Sequence, residues 1–197
     1  MSIFKEMIPA DTFDNIQTGA GMLLWRFDPE NPGDVKPEDI ICATTGGVEV
    51  SCKANMSDMG EDVDNCPDGL LELQHVDGWE CSISTTSLAA NAESIQFALG
   101  VADVEDREGY KKIIPRRSLK MTDAKDIWWA GPKANGGAVA ACLKNALSSD
   151  GYSLKTEKNN KGQTSITIKG HPTVKTQTEV PMEYYVFLPK DDEEEAE

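Results

Sequence analysis

Two segments in which polar and apolar residues alternate constrain the fold of this chain more than any other feature. The alternation runs through residues 48–54 and again through residues 79–86, with a long acidic stretch between them. Successive side chains of a β-strand point to opposite faces, so a period of two predicts two half-buried strands. Their polar faces would carry Glu49, Ser51 and Lys53 on the first strand and Glu80, Ser82, Ser84 and Thr86 on the second.

The rest of the pattern predicts a mainly β chain with a single helix over residues 92–99. Asn91 can cap the first turn of that helix, and Gly100 can adopt the left-handed conformation that ends it. Lys158-Asn-Asn-Lys-Gly162 predicts a hairpin turn, because Asn and Gly tolerate positive φ. Short strands around one helix predict an antiparallel β-sandwich or barrel with one flanking α-helix. The other predicted strands are 126–130, 137–147, 152–157, 163–169 and 180–188.

Proline, glycine and charge divide the chain into three parts. Residues 1–39 contain four prolines, which predicts an irregular N-terminal arm with one exposed apolar patch at Leu23, Leu24 and Trp25. Residues 40–189 form the strand-rich domain. Residues 190–197 are almost all acidic, which predicts a solvated, disordered tail.

The net charge of −15 disfavours a conventional nucleic-acid-binding module. Six of these excess negative charges lie in the last seven positions, which leaves nine in the rest of the chain. Tight binding to a phosphate backbone depends on Lys and Arg displacing counterions, and an acidic surface opposes it. No apolar run is long enough for a signal peptide or a membrane span, so we expect cytoplasmic synthesis and no membrane partner.

No pattern in the sequence predicts a catalytic residue, a metal site or a cofactor, so we do not expect an enzyme. The five cysteines include no Cys-x-x-Cys pair and are expected to act as small buried hydrophobic residues. His75 and His171 accompany no nucleophile motif. The loop over residues 58–68 has five carboxylates but lacks the ligand spacing of an EF-hand, because Cys66 and Pro67 stand at two required positions.

Four groups of motifs, in this order along the chain, resemble the major tail protein (tail tube protein) family of siphophage-like tailed bacteriophages. Together they span most of residues 15–188. They are Asn15-Ile-Gln-Thr-Gly-Ala-Gly-Met-Leu-Leu24; Ala43-Thr-Thr-Gly-Gly-Val48 with Gly60-Glu-Asp-Val-Asp-Asn65; Ile113-Ile-Pro-Arg-Arg117 with Asp126-Ile-Trp-Trp129; and Asn145-Ala-Leu147 with Gly170-His171 and Val180-Pro181.

The resemblance implies a structural virion protein that self-assembles into stacked hexameric rings, the tail tube through which the genome is delivered. The implied partners are other copies of the chain, the tape measure protein, the tail terminator and tail tip proteins, and double-stranded DNA in transit only. The implied location is the virion tail, after synthesis in the host bacterial cytoplasm. We assign Asp58, Glu61, Asp62, Asp64 and Asp68 to an inter-ring loop, Glu49, Ser51, Glu80 and Ser82 to the lumen, and Leu23, Leu24 and Trp25 to contacts of the N-terminal arm.

Two other classes of function remain open from the sequence. A monomeric acidic adaptor or DNA mimic would use the same negative charge to occupy a basic site on a partner. A calcium-binding protein would use the 58–68 loop, and a calcium-dependent or carboxylate-based enzyme would need that loop to converge with His75 or His171.

Overall fold

A computed structural model of the chain describes residues 8–189 and shows ten strands and one α-helix in that range. The acidic tail predicted over 190–197 and the first seven residues of the predicted arm lie outside the described residues. The fold class is confirmed: the described chain is mainly β, antiparallel, with one helix. The elements are β1 Met22–Leu24, β2 Thr44–Asp58, β3 Gln74–Ser87, α1 Ala92–Leu99, β4 Ala102–Arg107, β5 Tyr110–Pro115, β6 Lys125–Pro132, β7 Ala138–Ser148, β8 Leu154–Lys155, β9 Gln163–Lys169 and β10 Met182–Phe187.

The long strand β7 joins two layers of antiparallel strands. It pairs with β6 on one side as far as Ala146 and with β10 on the other as far as Leu143, and β1 extends this first layer beyond β6. Leu147 and Ser148 pair instead with β9, which continues to β3 and β2 in the second layer. Asn145 lies between the two parts with φ of 45°, a left-handed conformation that Asn tolerates better than most residues.

The hydrophobic core lies between these two layers. The first layer contributes buried side chains such as Ile127 and Leu143, and the second contributes Ile83 and Ile168. Val50 and Cys52 of β2 pack against this core, which places the apolar face of the predicted 48–54 strand inward. A second, smaller cluster covers the opposite side of the first layer and includes Leu24, Ala130, Ala140, Phe27, Trp128, Tyr185 and Phe187.

The helix α1 has the ends that the sequence predicts. The Asn91 side chain accepts a hydrogen bond from the Ser94 amide at 2.8 Å, and Gly100 ends the helix with φ of 72°. Ala98 is fully buried against the main core, and Ser148 Oγ on β7 donates a 2.6 Å hydrogen bond to its carbonyl oxygen. These contacts attach the helix to the edge of the sandwich.

The arm prediction is wrong for Leu23 and Leu24, which are not exposed. They form β1, which pairs with Trp128 and Trp129 of β6, and their side chains are 1% and 0% exposed. Each lies on one face of the sheet and fills one of the two hydrophobic clusters. Burying these two apolar side chains against the free edge of β6 is more favourable than leaving them exposed to water.

Two other local predictions need correction. The strand expected over 152–157 shrinks to Leu154–Lys155, which pairs with β9. The hairpin of β4 and β5, which forms a separate two-stranded sheet, was not predicted. Its signal was the Glu108-Gly109 turn, where Gly109 has φ of 83°, but the strands on either side are too charged to show a clear alternation.

Candidate assembly surface

The polar residues predicted on two strands form one continuous sheet face. In the register of β2 with β3, Glu49 is opposite Ser84, Ser51 is opposite Ser82, and Lys53 is opposite Glu80. Strand β9 adds a third row, because Lys169, Thr167 and Ser165 pair with Ser82, Ser84 and Thr86. We call this surface the polar face; its members are Glu49, Ser51, Lys53, Glu80, Ser82, Ser84, Thr86, Ser165, Thr167 and Lys169.

The charges of the polar face are balanced. Lys169 Nζ lies 2.6 Å from Glu80 Oε1, and Lys53 is the cross-strand neighbour of Glu80. The hydrogen bond from Lys169 and its charge lower the pKa of the Glu80 carboxyl. The Glu49 carboxylate is held less firmly, since the only hydrogen bond that it accepts within residues 8–189 comes from Ser84 Oγ at 3.5 Å. Glu49 is therefore the less firmly held of the two carboxylates of this face.

The core-facing side of β2 and β3 continues beyond the core as an apolar surface. Met56, Val76 and Trp79 lie on these strands past the last core residues and are 55%, 43% and 45% exposed. Tyr184 and Val186 of β10 are also exposed, at 55% and 64%. Burial is the largest cause of a raised pKa of the Tyr184 phenol, and the charges of Cys52 and Cys81 add to it, so β10 lies close to the same end. We call Met56, Val76, Trp79, Tyr184 and Val186 the open-end patch.

The loop between β2 and β3 is ordered by Asp58. Its carboxylate accepts hydrogen bonds from the amides of Gly60 and Gly69, each at 2.8 Å, and these two bonds lower its pKa. Gly60 is buried against Leu73 and Cys66, where a Cβ atom would lie 2.8 Å from Leu73 Cδ1. Asp58, predicted to meet a cation of another ring, already has partners within its own loop.

The other predicted loop carboxylates are exposed at the surface. Glu61, Asp62, Asp64 and Asp68 form no ion pair with any cation of residues 8–189. The same loop also exposes apolar side chains, a feature that the charge pattern of the sequence did not indicate. Met59 and Leu71 are 66% and 80% exposed. The loop therefore offers both charge and apolar surface.

Trp25 is half-buried and lines a cleft of about 660 Å³ beside α1. Its ring meets Phe97 edge to face, with ring centroids 5.0 Å apart, and Lys125 Nζ lies 4.9 Å from the Trp25 centroid. Acidic residues such as Glu38 and Glu93 form the rim. Of the three predicted arm contacts, only Trp25 keeps exposed surface that another molecule could touch.

Neither histidine forms a metal-binding group with the carboxylates of the 58–68 loop within residues 8–189. Within residues 8–189 no group of three or more His, Cys, Asp or Glu side chains is arranged to hold a metal ion. His75 lies on β3 opposite Ser57, and His171 follows the end of β9. In the described part of the chain, no helix has the length and apolar character needed to cross a membrane.

Comparison with known proteins finds a similarity in structure but none in sequence family. No family model matches the sequence, and no curated protein matches it. Among solved structures, a chain in the tail of an empty GTA particle with C6 symmetry is similar at 11% sequence identity and a TM-score of 0.40. The match covers 80% of this chain and 96% of that chain. Both the identity and the TM-score are too low for this similarity to decide a function.

Proposed function

We propose that this chain is the subunit of a phage-type tail tube, in which six copies form a ring and stacked rings form the conduit for the genome. The observation that carries the proposal is that β2 and β3 contribute both to a charge-balanced polar sheet face and to an apolar surface that residues 8–189 leave uncovered. The motifs that resemble the major tail protein family support the same assignment. The proposal implies a tape measure protein inside the tube and terminator and tip proteins at its ends.

The polar face suits the wall of a conduit for DNA. Lysines on such a wall would displace counterions and hold the duplex. Here Lys169 is neutralised by Glu80 at 2.6 Å, and Lys53 lies next to the same carboxylate. The remaining members are mainly Ser and Thr, which offer hydrogen bonds without net charge. A duplex would therefore meet a wall that neither binds nor strongly repels it.

The open-end patch suits the contact between neighbouring subunits in a ring. Exposed apolar surfaces of this kind mark protein–protein interfaces, and aromatic residues are enriched at the energetic centres of interfaces. Trp79 and Tyr184 would be those centres. A second copy of the chain is the partner that repeats around a closed ring.

The β2–β3 loop suits the contact between stacked rings. Structureless loops longer than about 12 residues are usually functional or disordered, and this one is ordered by Asp58. Its unpaired carboxylates Glu61, Asp62, Asp64 and Asp68 would meet Lys or Arg of the adjacent ring, while Met59 and Leu71 would bury apolar area there.

Negative-stain electron microscopy of the concentrated full-length chain tests the proposal. We expect rings with a central hole and six-fold symmetry, stacked into tubes. Light scattering across a range of concentrations should show growth in mass for a tube subunit. A chain that stays monomeric at every concentration, and that forms no rings within assembled particles, would instead favour the acidic adaptor.

Two variants separate ring formation from stacking. Neutralising the loop with Asp62→Asn, Asp64→Asn and Asp68→Asn should leave rings intact and shorten the stacks. The matched control, Glu30→Gln with Asp34→Asn and Glu179→Gln, removes the same number of exposed charges elsewhere and should not affect tube length. Equal tube lengths for both variants would refute the loop as the ring-to-ring contact.

A further inference from the structure

Cys52 and Cys81 lie directly opposite each other on β2 and β3, with their Sγ atoms 2.6 Å apart. The Cα atoms of directly paired residues in antiparallel strands are about 4.5 to 5.5 Å apart. That range lies within the Cα separations of about 4.4 to 6.8 Å found across disulfides. The two sulfurs could therefore be joined without moving either strand.

The two thiols differ in access. Cys81 is 1% exposed, whereas Cys52 is half-buried. Burial is the main cause that raises the pKa of the Cys81 thiol to about 12, and its hydrogen bond to Cys52 and the charge of Cys52 add to it. Because Cys52 is the more exposed of the two, it is the thiol that an oxidant meets first.

We propose that Cys52 and Cys81 are a redox modification site in which a low-molecular-weight disulfide such as oxidised glutathione converts the two thiols to a cross-strand disulfide. The Cys52 thiolate attacks one sulfur of the oxidant, breaks its S–S bond, forms a mixed disulfide and releases one glutathione thiolate. Cys81 gives its proton to a glutathione thiolate, and the Cys81 thiolate attacks the Cys52 sulfur of the mixed disulfide. The second glutathione leaves as a thiolate and takes up the proton that Cys52 lost to the solvent. Two protein thiols are oxidised and one small disulfide is reduced to two thiols.

The disulfide would lock the hairpin that carries the polar face and the open-end patch. It joins residues 29 positions apart and encloses the whole β2–β3 loop. A covalent link of this kind stabilises mainly by restricting the unfolded chain. The cysteines are free in the folded chain, and oxidation would then stiffen the β2–β3 ladder. This site does not depend on the proposed tail tube function.

Oxidation of the reduced full-length chain with oxidised glutathione, followed by alkylation in denaturant, tests the proposal. The reduced chain has five free thiols and should take up five alkyl groups. The oxidised chain should take up three, lose the mass of two hydrogens and yield a peptide that links Cys52 to Cys81. The melting temperature should rise by roughly 5 to 10 °C and return to its starting value with dithiothreitol.

Two variants make the result specific. Cys66→Ser removes the half-buried thiol of the loop and should leave both the crosslink and the rise in melting temperature unchanged. Cys52→Ser should abolish both. A crosslink that uses Cys66, a glutathione adduct that persists on Cys52, or a crosslink without any change in melting temperature would each overturn the proposal.

Discussion

At the scale of single residues, Gly21 occupies a position that has no room for a side chain. It has φ of 70°, and a Cβ atom there would lie 2.5 Å from Trp129 Nε1 and 2.6 Å from the Ala130 carbonyl oxygen. The backbone oxygen cannot move without breaking the pairing of β1 with β6. The sequence motif Gly19-Ala-Gly21 therefore contains one glycine required by conformation and another required by both conformation and space.

We expect Gly21→Ala to destabilise the protein by about 3 kcal/mol, because it adds a clash with fixed atoms to the strain of positive φ. Gly19→Ala is the matched control: Gly19 has φ of 74°, and a Cβ atom added there would meet no other atom within 4 Å, so its cost should be about 1 kcal/mol. Thermal melting should show a drop about three times larger for Gly21→Ala. Equal drops would mean that strain alone matters at both positions.

At the scale of elements, Arg116 holds the β4–β5 hairpin to the 3-10 turn Met121–Asp123. Its guanidinium pairs with Asp123 and donates a 2.6 Å hydrogen bond to the Ser118 carbonyl oxygen, and its side chain is 13% exposed. Burial alone would raise the pKa of Asp123. The hydrogen bond from the Lys120 amide and the Arg116 guanidinium outweigh burial and lower it.

We expect Arg116→Met to lower the free energy of unfolding by about 2 kcal/mol at neutral pH, since it leaves the Asp123 carboxylate without its cation. Arg117→Met is the control, because Arg117 is exposed and forms no ion pair within residues 8–189; its effect should stay within about 0.5 kcal/mol. Urea unfolding measures both. Equally small losses in the two variants would show that the Arg116 charge contributes nothing beyond the aliphatic part of the side chain, which Met retains.

The pH dependence of that difference follows from the lowered pKa of Asp123. A carboxyl with a folded pKa below its unfolded value stabilises the protein above the unfolded pKa of about 3.9. This stabilisation is lost as the pH falls through the folded pKa. The gap between the original chain and Arg116→Met should therefore be largest near neutral pH and narrow in acid.

At the scale of the whole molecule, the proposed lumen makes Glu49 the informative position. Glu80 is a poor probe because Lys169 binds it and Lys53 lies next to it, so a lysine there would place three cations together. Glu49 is exposed and bound only weakly by Ser84. Six-fold symmetry would repeat a change at Glu49 six times in each ring.

We expect Glu49→Lys to give tubes of normal appearance that deliver the genome poorly, with the defect relieved by added salt because screening shortens the reach of the charges. Glu49→Gln, which removes the charge without adding a cation, should deliver almost normally. Delivery efficiency of particles with verified tubes is the measurement. Normal delivery by Glu49→Lys would place this residue away from the DNA.

Local patterns in the chain were enough to identify much of the fold and two of the three strands of the polar face. The alternation over residues 48–54 and 79–86 assigns the faces of β2 and β3, because successive side chains of a strand point to opposite faces. Asn91 and Gly100 mark the ends of α1, and Asn159 takes the positive φ expected of the 158–162 turn. These signals act within a few residues, so they can be recognised without knowing the neighbours in space.

Contacts between distant segments were decided only when the chain folded. The burial of Leu23 and Leu24 depends on β6 offering a free edge more than 100 residues later. The same holds for the pairing of Lys169 with Glu80 and of Cys52 with Cys81, since each requires a register between strands that no local pattern encodes. The face of a strand on which a side chain lies follows from the chirality and pleat of the backbone. Which strands pair depends on which arrangement of the whole chain buries the most apolar surface.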